Sequence, residues 1–311
     1  MAQSRSSHFP AHYVGRFAPS PTGPLHFGSL LAALASFLDA RANNGQWLVR
    51  IEDIDPPRET PGAATAILRC LQAHALMWDG DVLYQSTRTE IYRQACAQLL
   101  EQRRAFYCTC SRLDLANNNG VYSGRCRHCL ERPRQLCTIR LCTDALDIHF
   151  DDAIQASFTV NMARDIGDFV IYRKENLPAY QLAVAIDDAA QNITHIVRGF
   201  DLLDSTPRQI FLQHCLHLPT PHYAHIPVIA NSQRQKLSKQ TFARALNNAN
   251  AVDNLLAALE FLRQPLPPKP HTKSATNVLD WAIAHWDMAL IPRRDELYGD
   301  ALPPRCRHFA T

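Results

Sequence analysis

The chain has 311 residues, of which 46% are hydrophobic and 20% charged, and a formal net charge of +3. This balance fits a globular protein that buries a substantial core, with room for two domains. No run of about 18 apolar residues occurs, so no membrane span is expected, and the small charge does not itself demand a nucleic-acid partner. Residues 1–12 are polar and lack an apolar signal core, so a cytoplasmic location is expected. Ten cysteines in such a chain point to reduced thiols and metal ligation rather than disulfides.

Residues 13–18 have the β-branched and aromatic mix of a strand. Pro19-Ser20-Pro21-Thr22-Gly23-Pro24 can neither continue a strand nor begin a regular helix. Gly28-Ser29 opens an apolar, alanine-rich run over 30–40 with helical spacing, closed by Asn43-Asn44-Gly45. Residues 47–51 read as the next strand, which completes a βαβ unit. His26 and Gly28 stand at the helix entry, where unpaired N–H groups and the helix dipole favour an anion.

Residues 101–170 read as a cysteine-rich, strand-bearing insert, with 147–152 and 158–160 as turn and strand candidates. Cys108, Cys110, Cys126, Cys129, Cys137 and Cys142 cluster there. By spacing alone, Cys108, Cys110, Cys126 and Cys129 make a tetrahedral structural metal site. The remaining α/β part, 176–245, holds two predicted strands, 181–186 and 193–197. Asp187-Asp188 reads as a polar strand end, with metal binding as the competing reading. Leu255, Leu256, Leu259 and Leu262 mark an amphipathic helix, 264–270 a stiff extended linker, and 278–290 a last helix. Cys70, Cys96 and Cys215 fall in helical patterns as core residues, and Trp281 and Trp286 suit helix packing. Basic stretches such as Arg103-Arg104, Arg132-Pro133-Arg134 and Arg293-Arg294 are candidate RNA contacts, although most such runs are solvated surface.

Two motifs stand about 210 residues apart: Gly15-Arg16-Phe17-Ala18-Pro19-Ser20-Pro21-Thr22-Gly23-Pro24-Leu25-His26-Phe27-Gly28-Ser29, and Lys236-Leu237-Ser238-Lys239-Gln240. In this order and separation they resemble the two ATP-binding signatures of class I aminoacyl-tRNA synthetases. Adding Leu48-Val49-Arg50-Ile51-Glu52-Asp53-Ile54-Asp55, Tyr180-Gln181-Leu182-Ala183-Val184 and Thr194-His195-Ile196-Val197-Arg198-Gly199, residues 13–245 resemble the catalytic core of glutamyl-tRNA synthetases. The stretch through Pro56-Pro57-Arg58-Glu59 and the compact cysteine insert are similar to the glutamyl-queuosine tRNA(Asp) synthetase family. So is the end of the chain where an anticodon-binding domain would begin. That family attaches glutamate to the queuosine base in the anticodon of tRNA(Asp).

The resemblance implies an α/β fold: a Rossmann-type class I synthetase core with a zinc-bearing insert and a short helical C-terminal region. Its expected parts are 1–100 and 176–245 for the catalytic domain, 101–175 for the insert, and 246–311 for the helical end. It assigns glutamate contacts to Arg16, Phe17, Ala18, Pro19, Ser20, Glu52, Tyr180 and Arg198. The chemistry agrees, because a planar guanidinium fork suits a carboxylate and a carboxylate suits an ammonium group. A pocket built for a carboxylate should reject glutamine. ATP falls to His26, Gly28, Lys236 and Lys239, with His26 and Lys239 stabilising charge during in-line attack on the α-phosphate. Mg²⁺ is expected with ATP. Ser29 and Gln240 depart from the commonest ends of the two motifs. The family's metal pattern, Cys-x-Cys followed by Tyr and Cys, maps onto Cys108, Cys110, Tyr122 and Cys126, and Cys129 remains the competitor. Expected partners are glutamate, ATP and queuosine-bearing tRNA(Asp), with the chain acting as a monomer. The rival readings are a truncated glutamyl-tRNA synthetase that charges a 3′ end and a non-catalytic glutamate or RNA sensor.

Overall fold

A computed structural model describes residues 12–111, 114, 121–231, 233 and 244–310. Its first unit is the predicted βαβ: β1 (Val14–Phe17), α1 (Phe27–Ala42) and β2 (Gln46–Ile51). The two strands run parallel, in register from Val14 opposite Gln46 to Phe17 opposite Val49. Asn44 takes a left-handed backbone at the exit of α1. Gly45 follows because a Cβ there would lie 2.5 Å from the Tyr13 carbonyl oxygen. The chain then returns through α2 (Ala63–Ala73) to β3 (Leu83–Tyr84), which pairs parallel with β2.

The second half of the parallel layer comes from far downstream. β9 (His195–Gly199) and β10 (His222–Ile226) pair in parallel, from His195 opposite His222 to Gly199 opposite Ile226. Thr194 joins this ladder to the first. Its N–H donates to the Val14 carbonyl at 2.9 Å, and its hydroxyl oxygen accepts from the Val14 N–H at 2.9 Å.

Between the halves lie α3 (Thr89–Glu101) and an antiparallel sheet of β4 (Ala105–Cys108), β5 (Thr138–Leu141) and β8 (Phe169–Tyr172). The hairpin β6 (Asp147–Asp151) and β7 (Ser157–Asn161) covers the predicted strand region near 158–160.

Strand alternation sends successive side chains to opposite faces of the parallel layer. Phe17, Val49 and Ile51 join one core cluster with α1 and the C-terminal helices α6 (Ala251–Phe261) and α7 (Ala275–Ala284). Val14 joins the other with α4 (Tyr180–Ala190) and α5 (Thr206–Leu216). Helices therefore cover both faces, as an all-parallel layer requires. Cys70, Cys96 and Cys215 are buried on α2, α3 and α5. No helix among the described residues is long and apolar enough to cross a membrane.

Two predicted elements differ. Residues 181–186, expected as a strand, form the first turns of α4. A short apolar run does not reveal its period, and here alanines favour a helix whose apolar side chains are buried. The last helix, expected over 278–290, is Ala275–Ala284. It begins one turn earlier because the Ser274 hydroxyl accepts the Asn277 N–H at 3.2 Å. It ends before Trp286, whose indole N–H donates to Asp39 at 2.9 Å.

Candidate active site

The carboxyl ends of β1, β2, β9 and β10 border a cavity of about 340 Å³. It lies where the chain order across the parallel layer reverses, between β1 and β9, the usual place for a ligand in an open α/β sheet. The lining brings together Arg16, Phe17, Ala18, Pro19, Ser20, His26, Gly28, Glu52, Tyr180 and Arg198, all singled out from the sequence. Lys236 and Lys239 lie outside the described residues.

Arg16 and Arg50 project to the α4 side of the sheet, where Asp188 meets both. Arg16 Nε donates to Asp188 at 3.2 Å and Arg50 Nη2 at 2.8 Å, all three being nearly inaccessible to water. Although burial opposes ionisation, the two guanidinium groups hold the Asp188 carboxyl below its ordinary range. Among the described residues, the Glu52 carboxylate receives a single contact, 3.4 Å from Arg50. Burial therefore prevails and pushes its carboxyl up to about 7, against the pull of Arg50 and Arg16. One acid is committed to the scaffold and the other retains capacity toward the cavity. Arg16 is complementary: its two terminal nitrogens make no hydrogen bond among the described residues.

Arg198 is held differently. It donates to His225 Nε2 (3.0 Å), Gln209 Oε1 (2.8 Å), Thr206 Oγ1 (2.8 Å) and the Leu202 carbonyl (3.3 Å). Burial lowers the His225 imidazole to about 4, so it is neutral near pH 7. Its tautomer follows from its neighbours: Nδ1–H donates to Asp152 at 2.5 Å, leaving Nε2 to accept from Arg198. Four donor positions are thus occupied, and Arg198 presents a fixed charge with one remaining Nη1 donor.

His26 is the N-cap of α1. Its Nδ1 accepts the Ser29 N–H at 3.3 Å, and its Nε2 lies 3.1 Å from the Ser29 hydroxyl. Ser29, the departure at the end of the first motif, thereby orients the histidine ring. Tyr180 opens α4 and carries a phenol raised by burial.

Asp187-Asp188 is not a strand end but part of α4. Asp187 accepts from Gln85 (2.8 Å), Arg88 (2.7 Å) and Tyr92 (2.6 Å), so both acids are buried counterions on α4. Sequence reasoning gave no role to Arg50, Asp152, Thr206, Gln209 or His225. Arg50 carried a signal, because a charge inside an apolar strand needs a buried partner. The others had none.

The cysteine-rich segment forms a second cluster. The sulfur atoms of Cys108, Cys110 and Cys126 lie within 4.8 Å of one another and could hold a metal ion. The Tyr122 hydroxyl oxygen is 3.5 Å from the Cys108 sulfur and 3.7 Å from that of Cys110. Gly167 permits this approach, because a Cβ there would meet Val121 at 2.7 Å and the Tyr122 nitrogen at 3.1 Å. Cys129 instead turns its thiol to the Glu131 carbonyl at 3.5 Å. Burial raises the Cys108 thiol, but contacts with Tyr122 and Arg140 outweigh it and hold the group below the usual thiol range. Arg140 donates to that sulfur at 3.3 Å and to the Asp168 carbonyl at 2.9 Å.

The Asp188 arrangement has a measurable consequence. Asp188→Asn leaves two buried guanidinium groups short of a counterion and is expected to cost about 3–5 kcal/mol in urea unfolding. A loss well below about 1 kcal/mol would show that water or Glu52 replaces it.

A family model described as tRNA synthetases class I (E and Q), catalytic domain, matches residues 13–266. The chain is 50% identical over 290 residues to the Glutamyl-Q tRNA(Asp) synthetase of Neisseria gonorrhoeae, covering 90% of this chain and 98% of that one. It is 48% identical over 281 residues to the protein of that name from Pseudomonas fluorescens, covering 90% and 94%. Among solved structures, the glutamate-tRNA synthetase of Elizabethkingia anophelis superposes with a TM-score of 0.77 at 23% identity, covering 93% of this chain and 68% of that one. The glutamate tRNA ligase of Elizabethkingia meningosepticum, solved with its amino acid, gives 0.74 at 24% identity, covering 91% and 66%. These two likenesses establish the fold, a mixed α/β synthetase core with a parallel sheet. With the family model matched over most of its length and relatives half identical across nine-tenths of it, the chain belongs to the class I tRNA synthetases of the E and Q group, in the glutamyl-Q tRNA(Asp) synthetase family.

Proposed function

We propose that the chain condenses glutamate with ATP to glutamyl-adenylate and pyrophosphate, then transfers the glutamyl group to a hydroxyl on the cyclopentene ring of queuosine in tRNA(Asp). The observation that carries the glutamate reading is the pair of uncommitted charges in one cavity: the open fork of Arg16 and the weakly partnered Glu52. An amino acid with a carboxylate side chain supplies the opposite charge to each. Arg16 takes the side-chain carboxylate, assisted by the fixed charge of Arg198. Glu52 takes the ammonium group, and Tyr180 and the 17–20 backbone form the walls. His26 and Gly28 at the start of α1 face the ATP phosphates, with Lys236, Lys239 and Mg²⁺ completing the charge.

The α-carboxylate attacks the α-phosphate in line and pyrophosphate leaves. The queuosine hydroxyl then attacks the acyl carbon, loses its proton and displaces AMP. Positioning and electrostatics suffice for both steps, and no protein nucleophile is required.

The acceptor reading is tested by offering labelled glutamate to tRNA from normal cells and from cells unable to make queuosine. Label is expected only in the queuosine-containing pool. Equal labelling of both pools would mean 3′-end charging.

Glu52 makes glutamate binding depend on pH. The carboxyl must be ionised to pair with an ammonium group, and in the empty site it titrates at about 7. Glutamate KM is therefore expected to rise as pH falls through 7, roughly five- to tenfold from pH 7.5 to 6. Pyrophosphate exchange at varied glutamate measures this, and a flat profile would remove Glu52 from that role.

We also propose that Cys108, Cys110, Cys126 and Tyr122 bind one structural zinc ion. Bond lengths of about 2.3 Å in a tetrahedral site place sulfur ligands about 3.8 Å apart. The Cys110–Cys126 separation of 3.6 Å and the two Tyr122 distances fit such a set. Cys129→Ser is expected to keep one zinc per chain, whereas Cys110→Ser loses it and Tyr122→Phe binds it more weakly in chelator competition. Zinc lost from Cys129→Ser but kept by Tyr122→Phe would reverse the assignment.

A further inference from the structure

We infer that a second cavity, of about 270 Å³ between α3 and the 132–137 segment, binds one nucleotide of the RNA substrate. The inference rests on the RNA acceptor proposed above and adds a place where that RNA is gripped away from the glutamate cavity.

The chain's net charge is only +3, yet five cationic residues line this one cavity: Arg93, Arg132, Arg134, Arg173 and Lys174. No acidic side chain is among its lining residues. Arg93 pairs with Glu90, and Arg173 with Asp55 and Glu175. Arg132, Arg134 and Lys174 make no ion pair with a carboxylate among the described residues and stand exposed. The cations left without a salt bridge here give this wall a positive potential that attracts an anion. A phosphodiester is suited to it, because guanidinium forks match phosphate oxygens.

The walls specify more than an anion. Tyr107 and Tyr172 supply aromatic surface, and Leu100 and Ile139 supply apolar surface. Tyr172 is only 6% exposed, and its buried hydroxyl has no hydrogen-bond partner among the described residues. Cations at the mouth and aromatic rings within are how proteins hold a splayed-out nucleotide, with the base against the rings and the phosphate on the arginines. An acidic peptide would use the cations and leave the rings idle.

The position fits a substrate acylated nearby. Arg173 donates to Asp55 at 2.9 Å, and Asp55 stands three residues beyond Glu52. The connection from β8 to α4 runs from Tyr172 in this cavity to Tyr180 in the other. One short connection therefore borders both cavities.

Two variants test this on the full chain. Arg132→Ala with Arg134→Ala removes exposed cations. Ala97→Trp fills the cavity from the exposed face of α3 without changing charge. Kd for fluorescently labelled tRNA(Asp) is measured over a salt series, beside glutamate-dependent pyrophosphate exchange. Both variants are expected to bind tRNA roughly tenfold or more weakly, and the double variant to show a shallower salt dependence. Exchange is expected to be unchanged, which also shows that both variants fold. Unaltered tRNA binding in Ala97→Trp overturns the inference, even if the double variant weakens, because it would mean a charged surface without a nucleotide pocket. Absence of exchange in the unmodified protein would instead count against the proposed glutamate activation, and the tRNA affinities would still decide the cavity.

Discussion

Asp188 is the contact on which the cavity at the carboxyl ends of β1, β2, β9 and β10 depends. Two parallel strands each send an arginine to the same face of the sheet, and like charges so close cannot be buried without an anion between them. Helix α4 supplies that anion. The consequence reaches the cavity, because a carboxylate shared by Arg16 and Arg50 leaves Glu52 under-partnered. Arg16 bonds Asp188 through Nε, and its two terminal nitrogens make no hydrogen bond among the described residues. The ion pairs on Asp188 thus leave Glu52 weakly partnered and the terminal nitrogens of Arg16 without a hydrogen bond among the described residues.

The opposite wall follows the same logic with different chemistry. Arg198 faces a neutral imidazole instead of a carboxylate, so its charge is oriented without being neutralised. Asp152 imposes the tautomer this needs, accepting the His225 Nδ1–H while also receiving the backbone N–H groups of Ile154, Gln155 and His225. Asp152 immediately follows the β6 strand, so the inserted segment takes part in orienting Arg198 at the cavity wall.

Asp168 does comparable work around the cysteine cluster. It accepts from Arg127 Nε and Nη2, at 2.6 and 2.7 Å, and from the Thr143 N–H at 2.8 Å, while its carbonyl holds Arg140. Arg140 lies over the Tyr122 ring at 4.4 Å and touches the Cys108 sulfur. The thiols and the phenol are therefore held by protein contacts as well as by any ion they bind, which favours a defined ligand geometry.

The sequence by itself determined the βαβ unit, the helix entry at His26, the cysteine grouping and a set of residues that line one cavity. Each of these is local or carried by a motif: stiff prolines before an alanine-rich helix, an Asn-Asn-Gly exit, thiols at short spacing. Sequence reading failed where the deciding partner is distant in the chain. Residues 181–186 read as a strand because the short apolar run 182–186 has no visible period, and Asp188 reveals its helix only through Arg16 and Arg50. Asp152 and His225 are 73 residues apart and ordinary in composition. Spacing alone also placed Cys129 beside the other thiols, whereas the turn through 126–129 carries its sulfur elsewhere. Tertiary structure decided which charges cancel and which remain, because that depends on distances between side chains that no local pattern encodes.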